Sequence, residues 1–170
     1  KQRKKIWKER DQILEKADKD QIETLFGIVK NYIEKIVDFH TRSESRRDWN
    51  GQEIFEELKN ILPLPPGFKE KLGNFKSREE VKEHILDIAK EVFEKKKEEL
   101  GQEMSKIAKF LQLKTLDVLW MEHLESMEAL RDSVKLRAYG QKDPLVAYRI
   151  EGSKMFQGLF DVFEERITNT

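Results

Sequence analysis

The sequence predicts an all-α protein in which a long first helix, a small inserted helical subdomain and an antiparallel two-helix hairpin follow one another. Three observations lead to that class. Apolar residues recur at steps of three and four through most of the chain, the spacing that gathers side chains on one helix face. No stretch alternates apolar and polar residues in the manner of a half-buried strand. Charged residues make up 39% of the 170 positions, well above the roughly one quarter usual in globular domains. A surplus of Lys and Glu suits long, solvent-washed helices.

The first stripe is Ile6, Trp7, Ile13, Leu14 and Ala17. Asp18-Lys19-Asp20 interrupts it, and Asp20 followed by Glu23 resembles a capping box, where a helix either restarts or continues. Ile22, Leu25, Val29, Tyr32, Ile33 and Ile36 then carry the stripe to about Phe39. Residues 1–38 therefore read as one long helix or two nearly collinear ones. From His40 to Asp48 the chain is polar and aperiodic, a loop, and Trp49-Asn50-Gly51 is a turn that keeps one large aromatic. A short helix follows with Ile54, Phe55, Leu58, Ile61 and Leu62. Pro63, Pro65, Pro66 and Gly67 end it, because proline lacks an amide hydrogen and restricts the residue before it. Phe68, Leu72 and Phe75 are placed to cover a small core. Ser77 with Glu80 forms a second capping box, and Val81, Ile85, Ile88, Ala89 and Val92 define the helix after it. Residues 39–102 are thus an inserted helical subdomain. Gly101 fits either a continuous helix or a kink, at a cost of about 1 kcal/mol relative to alanine.

Residues 103–170 carry the hairpin. Going in, the stripe is Leu113, Leu116, Trp120, Leu124, Met127, Leu130 and Val134; coming out, it is Val146, Ile150, Phe156, Phe160, Phe163 and Ile167. Two facing rows explain each other as core, with Leu116, Trp120, Leu124, Met127 and Leu130 set against Phe156, Phe160 and Phe163. Between them lies a tip at about 136–144, punctuated by Gly140 and Pro144. An ordinary solvated turn accounts for Gly140, Lys142, Asp143 and Pro144. Tyr139 beside Arg137 suits a different role: an amphipathic ring flanked by cations can stack on, and hydrogen-bond to, an extended peptide. On residue type alone both readings stand.

Composition removes several function classes. The 33 basic and 33 acidic residues give zero net charge, so no overall field draws the chain to nucleic acid or an anionic membrane. There is no cysteine, hence no disulfide or thiolate metal site. No apolar run approaches the ~20 residues that span a bilayer, and no signal peptide opens the chain. A phosphate loop ending in Lys-Ser or Lys-Thr is missing, so no nucleotide cradle of that kind is expected. His40, His84 and His123 are far apart. The positions three and four away from His123 are Leu119, Trp120, Ser126 and Met127, none a usual zinc ligand; no metal and no catalytic residue is expected. The basic, uncapped opening Lys1-Gln2-Arg3-Lys4-Lys5 reads as a cut from a longer polypeptide.

Trp120-Met121-Glu122-His123-Leu124, Met127, Leu130-Arg131, Leu136-Arg137-Ala138-Tyr139, Gln141-Lys142-Asp143-Pro144, Tyr148, Glu151 and Met155-Phe156 together resemble the C-terminal helical region of the SecA family of preprotein translocase motor ATPases. The likeness is dense over residues 113–156 and weaker but collinear over Gln2-Arg3-Lys4 through Glu9-Arg10. Residues 39–102 fit by position, helical character and Trp49.

The resemblance implies a long scaffold helix (1–38), a helical wing domain (39–102), and the continuing scaffold with a two-helix finger (103–170). It implies a non-catalytic part of a protein-translocating ATPase that couples ATP-driven motion to preprotein movement through the SecYEG channel and restrains ATP hydrolysis. ATP and Mg would belong to the parent protein and none to this chain. Partners implied are SecYEG, unfolded preprotein and the nucleotide-binding lobes of the same parent chain, at the cytoplasmic, inner face of a bacterial cell membrane. Tyr139 falls on the family's peptide-contacting residue, with Arg137, Gln141 and Lys142 beside it. Here Ala138 precedes and Gly140 follows the tyrosine, the reverse of the usual order, and Ala147 stands where an acid is common. Taken alone, the chain would bare surfaces at Trp7, Tyr32 or Ile36 and self-associate. The alternative is a free-standing helical adaptor for a partner helix or peptide. Nucleic-acid binding, suggested only by the basic start and by Arg137 with Lys142, is disfavoured by the neutral charge.

Overall fold

The computed structural model of the chain describes residues 1–137 and 143–170, with Arg137 described by its backbone alone. It contains α1 (Gln2–Glu15), α2 (Asp18–His40), a single 3-10 turn (Arg46–Asp48), α3 (Gly51–Leu58), α4 (Phe68–Leu72), α5 (Arg78–Leu100), α6 (Glu103–Arg137) and α7 (Pro144–Asn169). Among the described residues there is no strand, so the all-α expectation holds. The chain divides into two compact units, residues 1–17 with 109–167 and residues 18–108 with 168–170. These boundaries differ from those at 38 and 102 drawn from the sequence. The reason is the partner of α2: its Val29, Ile33, Ile36 and Val37 are buried with side chains of α3, α4 and α5.

In the second unit, that shared core also takes Ile54, Leu58, Phe68, Val81, Ile85 and Ala89. Local signals start its helices. The Asn50 side chain accepts the Glu53 amide at 3.1 Å and caps α3. Ser77 Oγ accepts the Glu80 amide at 3.2 Å, while Glu80 Oε2 accepts the Lys76 amide at 2.9 Å, satisfying N-terminal donors reciprocally in the manner of a capping box. Trp49 packs against the core and donates its indole N–H to the Ser43 carbonyl at 2.9 Å, which ties down the polar loop. Thr41 is fully buried and donates to the Val37 carbonyl at 2.6 Å; its own carbonyl accepts from Arg78. Ile36 and Tyr32 belong to this core and its margin, so they are not the bare surface expected of them, whereas Trp7 is 48% exposed. The hydrophobic effect explains the difference: an apolar stripe is covered by whichever elements the chain brings back to it.

Gly101 ends α5. Its φ of 55° lies where a Cβ meets the neighbouring carbonyl, a conformation glycine adopts freely. The chain therefore does not run as one continuous helix through this point.

In the first unit, α1, α6 and α7 share a core of Ile6, Ile13, Leu116, Leu119, Phe156 and Leu159, with Leu113, Trp120, Phe160 and Phe163 partly buried against it. Arg10 pairs with Asp117, and Gln2 with His123, so moving forward along α1 means moving back along α6. Those two helices are antiparallel. Glu122 pairs with Arg166, while the later Met127 meets the earlier Gly152; α6 and α7 are antiparallel as well.

Candidate functional site

Of the residues singled out at the tip, Tyr139, Gln141 and Lys142 lie outside the described residues, as does the side chain of Arg137. What the structure describes is the frame on either side. α6 runs to Arg137 without a break. At the return, Asp143 Oδ1 accepts the Leu145 amide at 2.9 Å and the Asp143 carbonyl accepts the Ala147 amide at 3.1 Å. Asp143 is thus an N-cap, and Pro144 takes the first helical position, where its missing N–H costs nothing. Leu136 and Leu145 are both more than half exposed.

The hairpin's seam is placed as follows. Leu116, Leu130 and Phe156 are buried, and Trp120, Met127, Phe160 and Phe163 are partly buried. Leu124 differs from expectation at 49% exposed, and so do Val146 and Ile150 at 50% and 51%. The helical repeat explains Leu124. α6 is covered by α1 as well as by α7, so its buried face takes Leu119 and His123, the latter only 6% exposed. Leu124 is turned towards the edge.

His123 organises the contact between α1 and the hairpin. Its Nε2 is 2.9 Å from Gln2 Oε1, and Gln2 Nε2 donates to the Gly152 carbonyl at 3.3 Å. The second bond fixes which end of the carboxamide faces which neighbour, so the amide oxygen accepts and His123 Nε2 carries the hydrogen. One side chain of α1 therefore bridges both arms of the hairpin. The imidazole stacks on Trp120 at 5.5 Å and lies against Phe156 at 5.4 Å. Burial holds its pKa below the usual histidine value, because a charged ring loses hydration there. Phe156 meets Phe160 edge-on at 5.7 Å, and the Lys5 ammonium sits 4.8 Å from the Phe160 ring centre, a cation–π contact.

Two ion pairs extend the frame. Arg10 meets Asp117 through Nε at 3.1 Å and Nη2 at 3.4 Å. Arg166 donates to both Glu122 oxygens at 3.1 and 2.8 Å. Their two-point geometry fixes register more than it adds stability, since half-exposed pairs contribute little. Gly152 permits close approach: a Cβ there would lie 2.6 Å from Met127 Cε.

Gln2 and Gly152 were not singled out from the sequence. An isolated glycine inside a helical pattern was the available signal for the second; the first stood only within the Gln2-Arg3-Lys4 stretch of the family likeness, with no role of its own. Among the described residues no cluster of three potential metal ligands occurs, and no helix is long and apolar enough to cross a membrane. The arrangement joins α1 to both arms of the hairpin at defined points.

Comparison with known proteins gives this frame a family. The whole chain, residues 1–170, matches the family model of the SecA Wing and Scaffold domain. It is 36% identical over 165 residues to the protein translocase subunit SecA of Clostridium acetobutylicum, covering 95% of this chain and 19% of that protein. Against the same subunit of Halothermothrix orenii identity is 35% over 172 residues, covering 98% and 20%; against that of Thermotoga neapolitana it is 36% over 174 residues, covering 99% and 19%. The chain spans about a fifth of the length of these curated relatives.

Proposed function

Because the chain belongs to the SecA wing and scaffold domain family, we propose that it is the lever of a protein translocase, a non-catalytic region that carries ATP-driven motion to a polypeptide in transit. The observation that carries this reading is the bridge from α1 to both arms of the hairpin through Gln2, together with the Arg10–Asp117 pair. A displacement of α1 is passed to α6 and α7 together, because packed and hydrogen-bonded elements transmit strain. α6 ends at Arg137 and α7 begins at Pro144, so the tip joins the two helices in sequence.

In this reading the tip is the working end. Tyr139 contacts the unfolded preprotein, with Arg137, Gln141 and Lys142 beside it, at the cytoplasmic mouth of the SecYEG channel. Nucleotide binding with ATP and Mg belongs to the lobes of the parent chain, and this region restrains hydrolysis until channel and substrate are engaged. The parent associates peripherally with the inner face of the membrane. The adaptor reading loses ground because the relatives named as translocase subunits are about five times longer than the chain.

Tyr139→Ala in the full-length translocase tests the working end. Preprotein translocation is expected to fall while basal ATP hydrolysis stays nearly intact. Normal translocation by that variant would refute the role of the tip.

A further inference from the structure

The hairpin carries a second surface that the tip does not explain. A groove of about 660 Å³ lies along the first unit, walled by the start of α1, the middle of α6 and the first half of α7. Arg3 and Lys5 come to it from α1 and Arg149 from α7, and Lys1 adds a fourth cation; among the described residues that line it there is no carboxylate. In a chain of zero net charge this is a local concentration of one sign. Trp120, Leu124 and Tyr148 supply the apolar surface. Leu124 is the residue whose helical spacing would bury it in the seam, yet it is half exposed here.

We propose that this groove docks an acidic, apolar-bearing peptide segment of a partner protein, a binding role separate from the contact proposed for Tyr139. The cations come from different helices, so carboxylates on the occupant meet positive charge on both sides. Guanidinium groups suit carboxylates because their planar fork donates two parallel hydrogen bonds. An apolar side chain between those carboxylates covers Leu124 and the Trp120 face, the amphipathic pattern by which a short helix lies in a groove. The aliphatic part of the surface, Leu124 with Met127, favours a peptide over nucleic acid, whose bases stack on flat rings. A basic segment is repelled, so the groove discriminates by charge.

The test uses the 170-residue chain and a synthetic 14-residue peptide with glutamates flanking leucine and phenylalanine. Binding is read by calorimetry and by the methyl signals of Met127 and Leu124. The expected result is a shift of both methyl signals, weaker binding at high salt, and at least a tenfold loss of affinity in Arg3→Glu/Arg149→Glu. Lys95→Glu, a reversal in the charged run of α5, is the matched control and should bind as the unaltered chain does. Unchanged circular dichroism separates lost binding from lost fold. Equal binding of a peptide with lysine for glutamate would overturn the proposal. So would affinity unaffected by the double reversal, or binding only of phosphatidylglycerol vesicles or polyuridylate.

Discussion

His123 donates its Nε2 hydrogen to the side-chain oxygen of Gln2 across 2.9 Å, and through that bond a buried ring in the middle of α6 is matched to the first turn of α1. The same glutamine donates to the Gly152 carbonyl in α7. A single carboxamide thus satisfies a group on each arm of the hairpin.

Gln2→Ala removes both bonds and leaves the buried His123 donor without its acceptor. Losing one partner of a buried hydrogen bond costs about 1–3 kcal/mol. A drop of that order in urea-unfolding stability is expected. Gln2→Leu, which is as large but cannot accept, should behave alike; a stability equal to that of the unaltered chain in both variants would show that the bridge is ornamental.

Stability should fall on acidification through the histidine range. Burial lowers the pKa of His123 below the ordinary value of 6.5, so the unfolded chain takes up the proton first. The contribution of the neutral ring is fully present above pH 6.5 and is lost as pH falls from there towards the folded value. His84 acts in the same direction, through burial first and then the nearby Lys71. Urea midpoints at pH 7.5 and 5.5 should therefore differ, and the difference should shrink in His123→Gln, whose amide can still donate to Gln2. An unchanged difference would assign the effect to other groups.

Gly152 should tolerate alanine but not a branched side chain. The atom in the way is the end of Met127, a flexible side chain that can shift, and alanine gains about 1 kcal/mol of helix propensity over glycine. Gly152→Ala is expected within about 1 kcal/mol of the unaltered chain, and Gly152→Val about 1–3 kcal/mol less stable through overpacking. Thermal unfolding of the two variants separates them.

Gly101→Ala faces the opposite balance. Nothing lies within 4 Å of an added Cβ, so space is not the obstacle. The positive φ is, at about 1–3 kcal/mol for an L residue held in a sparsely populated backbone region. Loss of stability in chemical denaturation is expected despite the better helix former.

Much of the fold was legible in the sequence because helices announce themselves by period and by caps. Ser77 with Glu80, and Pro144 at the head of α7, are local signals that need no knowledge of the rest of the chain. The misplacements share one cause. Periodicity shows which face of a helix is apolar and says nothing about what covers it. Val29, Ile33 and Ile36 continue the stripe of Ile6 and Ile13, yet the two sets are buried in different units. On α6, cover from both α1 and α7 replaced Leu124 by His123 in the buried face. The bridging role of Gln2 was invisible for a related reason, since a bond between positions 2 and 123 leaves no local pattern. Arg137, Tyr139, Gln141 and Lys142 were singled out by residue type and family likeness, and the frame around them is what the structure adds.

In the proposed lever role α1 drives the hairpin, and the Arg10–Asp117 pair offers the most direct measurement of it. In the full-length translocase, preprotein moved per ATP hydrolysed is compared for the unaltered protein, Arg10→Asp, Asp117→Arg, and the two changes together. Each single reversal places like charges face to face and is expected to lower the yield per ATP, and the double exchange is expected to restore it. Single reversals with an unaltered yield, or a double exchange as poor as either single change, would contradict a coupling that runs from α1 into the hairpin.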